Sequence, residues 1–511
     1  MSKKISLFER MPTWMYWSIF CIITAIYIAL RYIPISQETV PYTYDQGRDF
    51  LAARNIVVNK DITLIGPTTG AEGVFHGAWW YYFLAIPFTI FNGDPIGFYY
   101  FIALVGVLQG VAMAVLIKKE VSPLLSLMFL AIVSISPYFI KTSIFAINSI
   151  LTLPCILILL VGLYGFIKKN QLRYLFLTAL SAGLIAEAEV AFGIFLFPSL
   201  VLAVIISKNA KLFFGSIKKT ASIISGVTLA MSLRILFELK YNFLQTKALT
   251  SFWGKENTQP KEFSHVIKER LELFWEYYME IFPKELKFLG IILLIVAVVG
   301  YWKGYRKLEA YQKKWISFVG LLTVLLYVVS LIYKNSFFWA YYFEGIHYIF
   351  IVLVGFGLYC LYLSFQNAHV RLGILTLLVC TVIGGMHVRV ANNPPKSEPM
   401  GLLMHKNAIE YLYTEVGMEP FCLRMYTPPV LTHTYNYLLD QQSRTGKGTY
   451  PRTEFIDNQC WYFVESDSYA LRRTNWLLNN IPEGATKEID YSVSKDLSIQ
   501  KWVMKDAPVE K

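Results

Sequence analysis

The chain has 511 residues, of which 55% are hydrophobic and only 16% are charged, and its mean hydropathy is +0.45. This composition is too apolar for a soluble protein of this length and predicts a membrane protein with many spans. In a soluble protein, the formal net charge of +12 would suggest a nucleic-acid partner. Most basic residues here lie in short connections between apolar segments, so we expect no nucleic-acid partner.

The apolar segments have the length of membrane-spanning helices. A helix needs about 20 residues to cross the hydrocarbon core, and a window of that length finds about eleven candidate spans. They cover residues 12–33, 95–117, 122–138, 146–167, 173–188, 190–207, 220–238, 286–302, 315–333, 346–365 and 371–390. The short EAEV stretch between the fifth and sixth spans fits either a tight hairpin or one broken helix, and we predict the hairpin.

Basic residues orient these spans, because Lys and Arg are retained on the cytoplasmic side of a membrane. They precede the first span and then occur in every second connection, namely Lys118 and Lys119, Lys168 and Lys169, and the clusters within 208–219 and 303–314. We therefore predict a cytoplasmic N-terminus. The predicted extracytoplasmic segments are 34–94, 239–285, 334–345 and everything after residue 390.

The first extracytoplasmic loop, residues 34–94, is longer than connections without a function usually are. It contains two helix-like segments, 47–58 and 77–91. The second, GAWWYYFLAIPFTIF, is too short to span a membrane and is rich in Trp and Tyr, which favour the membrane–water interface. We expect this segment to lie in the interface.

Hydropathy falls after residue 391, where residues 392–395 read as a linker of Asn and Pro. Three strand-like segments follow, FCLRMY (421–426), CWYFVE (460–465) and SIQKWVM (498–504), with helix-like segments between them. This pattern predicts a transmembrane module over 1–390 and a small extracytoplasmic α/β domain over 391–511. Cys422 and Cys460 both fall in this domain, where they either form a disulfide in an oxidising compartment or remain free thiols.

Charged residues at predicted extracytoplasmic positions are the candidates for function. The stretch YTYDQGRDFLAARN, residues 42–55, brings Asp45 and Arg48 close to the membrane surface. By itself such a pair is more simply explained as a solvated ion pair at the start of a helix. Two further polar groups favour an active site, and they are Glu72 with His76 before the aromatic segment, and Glu187 with Glu189 at the hairpin tip.

The loop motifs and the topology resemble the C-type glycosyltransferase (GT-C) superfamily, especially bacterial protein O-mannosyltransferase-like enzymes and lipid A aminoarabinose transferases. Their first loop typically contains Asp-Glu-x-Arg and later Glu-Lys-Pro-Pro-Leu-Tyr-Tyr or His-Pro-Pro-Leu-Tyr-Tyr. The corresponding segments here are DQGR (45–48) and HGAWWYY (76–82). Asp45 and Arg48 match the motif, whereas Gln46 replaces its second acidic residue and Gly-Ala replaces its Pro-Pro pair.

The resemblance implies an α-helical GT-C fold and an enzyme that transfers a sugar, with inversion, from a polyprenyl-phosphate donor to a lipid, glycan or protein acceptor. It implies that Asp45 accepts the proton of the acceptor hydroxyl, with Glu72 or His76 as a second catalytic group. Arg48 would bind the lipid phosphate with its planar fork. A divalent metal remains open, since Asp45 with Glu72 or Glu187 could bind one.

Further charges near the extracytoplasmic ends of spans are candidate substrate-binding residues, namely Glu187, Glu189, Arg234 and Lys334. Arg234 and Glu238 lie four residues apart on one predicted helix, so an ion pair between them is as good an interpretation. Lys334, like Lys141, Glu344 and His347, is also explained as a solvated or snorkelling side chain at the end of a span.

Two other classes of protein share the many spans. A transporter or lipid flippase predicts short extracytoplasmic loops and pairs of Gly- or Pro-interrupted helices in related halves, whereas this chain has a long first loop and a polar C-terminal segment. A membrane scaffold gives no reason for charged residues to cluster around interfacial helices. Alanine at Asp45 distinguishes these classes, because only an enzyme would lose turnover while it remained folded.

Overall fold

The computed structural model describes residues 12–254, 261–334, 338–364, 401–428 and 430–504. The last predicted span, 371–390, and the predicted linker, 392–395, lie outside these residues. The helices up to residue 364 are α1 (Thr13–Ser36), α2 (Tyr44–Arg54), α3 (Trp79–Ile90), α4 (Pro95–Glu120), α5 (Pro123–Ile135), α6 (Pro137–Ser143), α7 (Thr152–Lys169), α8 (Leu172–Ala188), α9 (Val190–Ile206), α10 (Ala210–Phe214), α11 (Ile217–Ala230), α12 (Ser232–Lys240), α13 (Leu244–Gly254), α14 (Phe263–Met279), α15 (Lys287–Gly304), α16 (Ala310–Ser330) and α17 (His347–Ser364).

Among the described residues, six helices are long and apolar enough to cross a membrane, namely α1, α4, α7, α15, α16 and α17, with α7 and α15 extended by short helical turns. Two predicted straight spans are instead bent pairs. Segment 122–138 forms α5 and α6, which meet at 65° before Pro137, because proline cannot donate the hydrogen bond that would continue α5. Segment 220–238 forms α11 and α12, which meet at 68°.

If each bent pair is one span, the described residues contain up to eight such spans. The helices α8 and α9, of 17 residues each, add the predicted hairpin. They turn back on each other at Glu189, whose backbone is extended, and they pack closely. A Cβ on Gly193 would lie only 2.3 Å from Cβ of Ala186. The hairpin therefore places its tip, with Glu187 and Glu189, at one end of the helix bundle.

The first loop is more structured than its sequence predicts. Helix α2 begins at Tyr44 because Thr43 and Gln46 form a capping box, and after Arg54 it continues as a π-helical turn, Asn55–Asn59. Helix α3 corresponds to the aromatic segment. Between them lie two short antiparallel strands, β1 (Ile65–Thr68) and β2 (Phe75–Gly77), which the sequence analysis missed.

The described C-terminal residues form an α/β unit. Its elements are α18 (Leu402–Val416), β3 (Leu423–Tyr426), α19 (His433–Arg444), β4 (Gln459–Glu465), α20 (Ala470–Asn480), β5 (Ala485–Ser494) and β6 (Leu497–Met504). The sheet order is β3-β4-β6-β5, with β3 parallel to β4 and the other pairs antiparallel. Strand β5 was not predicted, because it is a mostly exposed edge strand without an apolar run. Cys422 and Cys460 form a disulfide, with their Cα atoms 4.6 Å apart.

This α/β unit shares one hydrophobic core with the first loop. Phe50 of α2 is fully buried and stacks on Phe98 of α4, with ring centroids 3.9 Å apart. The ring of Phe50 also packs against that of Tyr437 of α19, with centroids 5.4 Å apart. The phenol of Tyr42 donates to the backbone oxygen of Thr434 at 3.0 Å. Helix α2 is therefore held between the helix bundle and the C-terminal unit.

Candidate active site

Helix α2 carries three charged residues that contact one another. Nη1 of Arg48 lies 2.9 Å from Oδ1 of Asp45, one helical turn earlier, and Nε of Arg48 lies 2.8 Å from Oδ1 of Asp49. The second carboxylate oxygen of Asp49 accepts a hydrogen bond from Nε1 of Trp80 at 2.7 Å. Asp49 therefore fixes the orientation of the Arg48 guanidinium through Nε, and Asp45 pairs with Nη1 of the same group.

Exposure of these side chains falls from Asp45 (35%) through Arg48 (23%) to Asp49 (1%), so substrates can reach the first two. Burial raises the pKa of Asp45, although the charge of Arg48 opposes this change. Burial likewise raises the pKa of Asp49 to about 6, against the opposing effects of Arg48 and Trp80. Burial opposes the charge on Arg48, but the two carboxylates outweigh it and raise the pKa of this guanidinium.

Two other elements complete the surroundings of this group. Tyr81 of α3 lies near these charges. Burial and the charge of Asp49 raise the pKa of its phenol, whereas the charge of Arg48 lowers it. His433 begins α19, and its pKa is lowered first by burial and then by the charge of Arg48. The approach of α19 requires glycine at position 47, because a Cβ there would lie 2.4 Å from the carbonyl carbon of His433. The C-terminal unit thus forms one wall of the group.

A second polar cluster surrounds Arg234 of α12. Nε of Arg234 lies 2.5 Å from Oε1 of Glu187 at the hairpin tip. Nη1 donates to the backbone oxygen of Phe75 at 3.0 Å and to Oε1 of Gln245 at 2.8 Å. The alternative ion pair with Glu238 is not formed, since Arg234 turns to Glu187 and Glu238 instead accepts a hydrogen bond from the backbone of Thr246 at 3.4 Å.

His76 connects the two clusters. It lies on β2 and is 6% exposed. Burial and then the charges of Arg234 and Arg48 lower the pKa of His76 to about 3. Both arginines are therefore near this imidazole, which is neutral at physiological pH. The next residue, Gly77, makes room for Glu187, because a Cβ on Gly77 would lie 2.0 Å from Oε2 of that carboxylate.

Glu189 occupies a third position. It is 2% exposed and caps α9, where its Oε1 accepts from the backbone nitrogen of Ala191 at 3.4 Å. Burial raises the pKa of Glu189 to about 8, and the charge of Glu344 contributes. Tyr341 lies near both Glu189 and Asp45, since burial and then these two carboxylates raise the pKa of its phenol to about 12. The hairpin tip and the start of α2 thus face a common region.

Two predicted site residues lie elsewhere. Glu72 is exposed in the turn between β1 and β2, and the described residues provide it with no ion pair or side-chain hydrogen bond. Lys334 is exposed and lies 5.6 Å from the ring of Phe263. Two side chains expected to be solvated are instead packed: His347 is 1% exposed, and Glu344 accepts a hydrogen bond from Tyr138 at 2.5 Å. His347 is buried because α17, which it begins, packs against its neighbours, whereas Glu344 lies just before α17 and is half-buried.

Comparison with protein-family models and with curated protein sequences finds no match. Comparison with solved structures does. ArnT from Cupriavidus metallidurans bound to undecaprenyl phosphate aligns with a TM-score of 0.58 and 9% identity, over 96% of this chain and 98% of that chain. Its apo structure aligns with a TM-score of 0.56 and 10% identity, over 95% and 97%. The chain has the GT-C fold.

Within this GT-C fold, several residues near the predicted site were not found from the sequence. Asp49 and Trp80 belong to the quoted segments, but nothing in the sequence indicates their contact. Gln245 and His433 lie far away in the chain, next to Arg234 and Arg48 respectively. The sequence around Gln245 and around His433 has no unusual composition, so only the packing of distant helices reveals that these residues lie near the site.

The GT-C fold also raises the question of a metal ion. The described residues contain no group of three or more His, Cys, Asp or Glu side chains arranged to bind one. Asp45 is paired with Arg48, Glu187 is paired with Arg234, and Glu72 lies exposed in its turn. The donor set suggested by the sequence is therefore not assembled, and no step below depends on a metal.

Proposed function

We propose that this chain is a glycosyltransferase that moves a sugar, with inversion at the anomeric carbon, from a polyprenyl-phosphate donor to a lipid, glycan or protein acceptor. The observation that carries the proposal is the group of Asp45, Arg48 and Asp49, in which an accessible carboxylate and an oriented guanidinium lie side by side. A GT-C fold over nearly the whole chain supports a polyprenyl-phosphate lipid, because one structure with this fold, ArnT, holds undecaprenyl phosphate.

Asp45 is the proposed general base. The oxygen of an acceptor hydroxyl attacks the anomeric carbon, its proton passes to the carboxylate of Asp45, and the bond from that carbon to the lipid phosphate oxygen breaks. Phosphate is a good leaving group, so no general acid is needed. The raised pKa of Asp45 makes the carboxylate a stronger base at physiological pH than an ordinary aspartate.

Arg48 is the proposed phosphate-binding residue, and its two carboxylate partners explain when it acts. In the resting site Asp45 and Asp49 together offset the charge of Arg48. When Asp45 accepts the proton it becomes neutral, so its attraction for the guanidinium weakens as the phosphate leaves. Asp49 still holds the Arg48 plane in position, and the released charge stabilises the departing phosphate.

We propose that the site faces the extracytoplasmic side. The basic connections that alternate along the chain support a cytoplasmic N-terminus. The Cys422–Cys460 disulfide supports an oxidising compartment for the C-terminal unit. Because this unit shares a core with α2, the start of α2 would lie on the same side of the membrane.

The test is sugar transfer by the purified chain in proteoliposomes that contain polyprenyl-phosphate sugars and a hydroxyl acceptor. Asp45→Asn keeps the size of the side chain but removes the base, so turnover should fall by about a hundredfold or more. Donor binding should change little. Arg48→Lys keeps the charge but loses the fork, so both donor binding and turnover should weaken.

Asp490→Asn is the control, because Asp490 also pairs with a basic side chain three residues away, that of Lys487, but lies on the exposed edge strand β5 outside the proposed site. Near-full activity of the Asp45→Asn protein with a hydroxyl acceptor would show that Asp45 is not the base. Equal, mild losses for both site variants, with lowered melting temperatures, would indicate a structural ion pair. Movement of intact donor lipid without transfer of its sugar would indicate a flippase.

A further inference from the structure

Arg234, which is half-buried, and three buried side chains around it each leave one buried polar atom without a hydrogen-bond partner among the described residues. The atoms are Nδ1 of His76, Oε2 of Glu187, Nη2 of Arg234 and Nε2 of Gln245. Glu187 is 1% exposed and Gln245 is 2% exposed. Buried polar atoms are normally paired. Four such atoms in one cluster therefore leave hydrogen-bonding capacity that the described residues do not use.

The contacts that these side chains do make determine what the remaining atoms can offer. Oε1 of Gln245 accepts from Arg234 at 2.8 Å and from the backbone nitrogen of Phe75 at 2.9 Å, so the free atom of this amide is its NH2 donor. Oε1 of Glu187 accepts from Nε of Arg234, so its second oxygen is a free acceptor. Nη2 of Arg234 is a second free donor.

The charge of the cluster selects the class of ligand. Glu187 balances Arg234, so the pair carries no net charge. An anion would meet the free oxygen of Glu187, and a cation would meet the guanidinium. A hydroxyl group both donates and accepts, so it matches an acceptor oxygen beside N–H donors. Two neighbouring hydroxyls would use both donors and the acceptor together.

We propose that Glu187, Arg234, Gln245 and His76 form a subsite that binds two hydroxyls of the sugar that is transferred. This inference rests on the proposed function and names the part of the donor that the cluster recognises. His76 lies four residues before Trp80, which donates a hydrogen bond to Asp49 of the candidate active site. The sugar would therefore extend from the Asp45–Arg48 pair towards this subsite.

Two isosteric substitutions test the subsite with little change in shape. Glu187→Gln keeps an oxygen for Arg234 and turns the free acceptor into a donor. Gln245→Glu keeps the oxygen that accepts from Phe75 and Arg234 and turns the free donor into an acceptor. Gln312→Glu is the matched control, because Gln312 is 5% exposed and its Oε1 also accepts from a backbone nitrogen, that of Glu309, at 3.1 Å.

The experiment measures binding of undecaprenyl phosphate, and of the same lipid carrying mannose, glucose or galactose, to the purified full chain in nanodiscs. The wild-type chain should bind one sugar-bearing lipid more tightly than the sugar-free lipid. Glu187→Gln and Gln245→Glu should each weaken that binding by about tenfold or more, which corresponds to about 1.4 kcal/mol. Their affinity for the sugar-free lipid should be unchanged, and Gln312→Glu should affect neither lipid.

A second measurement does not depend on the folding of any variant. Donor lipids that lack single sugar hydroxyls should bind the wild-type chain more weakly at two neighbouring ring positions. The inference would be overturned if every such donor bound with full affinity. It would also be overturned if the subsite variants lost affinity equally for the sugar-bearing and the sugar-free lipid. Either result would leave the proposed function standing. Failure of the wild-type chain to bind any of these lipids would overturn both.

Discussion

A single arginine shared between two carboxylates is the central feature at the scale of residues. Asp45 and Asp49 differ in exposure, 35% against 1%, although both contact Arg48. The accessible carboxylate can exchange a proton with substrate, and the buried one can only orient the guanidinium. We therefore assign Asp49 as a positioning residue.

This arrangement predicts how activity depends on pH. Both carboxylates must be ionised, and the pKa of Asp49 is raised to about 6. As the pH falls through this value, Asp49 becomes protonated and its hold on Arg48 weakens. Measured kcat/KM should therefore fall by about tenfold for each pH unit below 6, whereas ordinary aspartates would delay the fall until about pH 4.

As the pH falls, the stability of the folded chain should increase while its activity decreases. The folded chain binds the Asp49 proton more tightly than the unfolded chain, whose pKa is near 3.8, so protonation favours the fold. Relative to Asp49→Asn, the wild-type free energy of unfolding should increase as the pH falls from about 6 to about 4, by about 3 kcal/mol. Parallel declines of activity and relative stability over this range would contradict the assignment.

At the scale of elements, the position of α2 depends on close packing against α19. A Cβ on Gly47 would lie 2.4 to 2.5 Å from backbone atoms of His433 and Thr434, which cannot move without shifting the helix. Asp45 lies two residues before this glycine and Arg48 directly after it. The packing of the C-terminal unit therefore determines where both side chains point.

Gly47→Ala tests this dependence. The added methyl group should separate α2 from α19, at a cost of about 1–3 kcal/mol in the free energy of unfolding, and should reduce turnover more than donor affinity. Gly70→Ala is the control in the same loop, because a Cβ on Gly70 meets nothing within 4 Å. Unchanged turnover in the Gly47→Ala protein would show that the contact with α19 does not position the site.

The disulfide stabilises the C-terminal unit by joining residues 38 positions apart. Closing a loop of this length should stabilise the folded unit by about 3–4 kcal/mol. The double substitution Cys422→Ser and Cys460→Ser should therefore lower its unfolding free energy by that amount, measured by denaturation followed through Trp fluorescence. Cys21→Ser, which alters an exposed free cysteine, should have no such effect. The prediction would be contradicted if the double variant were as stable as the Cys21→Ser protein.

At the scale of the whole molecule, the α/β unit and the first loop form one body beside the helix bundle. Their shared core joins residues from α2, α3 and α4 to residues from α18, α19 and β4. The two parts must therefore lie on the same side of the membrane, which ties the orientation of the chain to the position of the site.

Cysteine labelling in intact cells tests this orientation. With Cys21 replaced by Ser, a cysteine at exposed Lys447 of the C-terminal unit should react with a membrane-impermeant reagent. A cysteine at exposed Lys169, in a basic connection, should react only after the cells are permeabilised. The reverse pattern would place the proposed site in the cytoplasm and would contradict transfer on the extracytoplasmic face.

The sequence by itself determined what depends on neighbours in the chain. Apolar segments of the right length predicted membrane helices, because burial of side chains in lipid follows local composition. An ion pair of Asp45 with Arg48 was one of two interpretations of the sequence, although the predicted helix began at residue 47 and the observed α2 begins at Tyr44. Helix α3 and three strands of the C-terminal sheet were predicted from local patterns of aromatic and apolar residues.

Only the tertiary structure decided which distant side chains meet. Arg234 pairs with Glu187 of α8 rather than with Glu238, although Glu238 lies on the same helix as Arg234. The bends within the segments 122–138 and 220–238 and the position of Gln245 beside Arg234 likewise depend on helix packing. The physical reason is that a buried charge takes the partner that packing brings to it, and this choice leaves no periodic trace in the sequence.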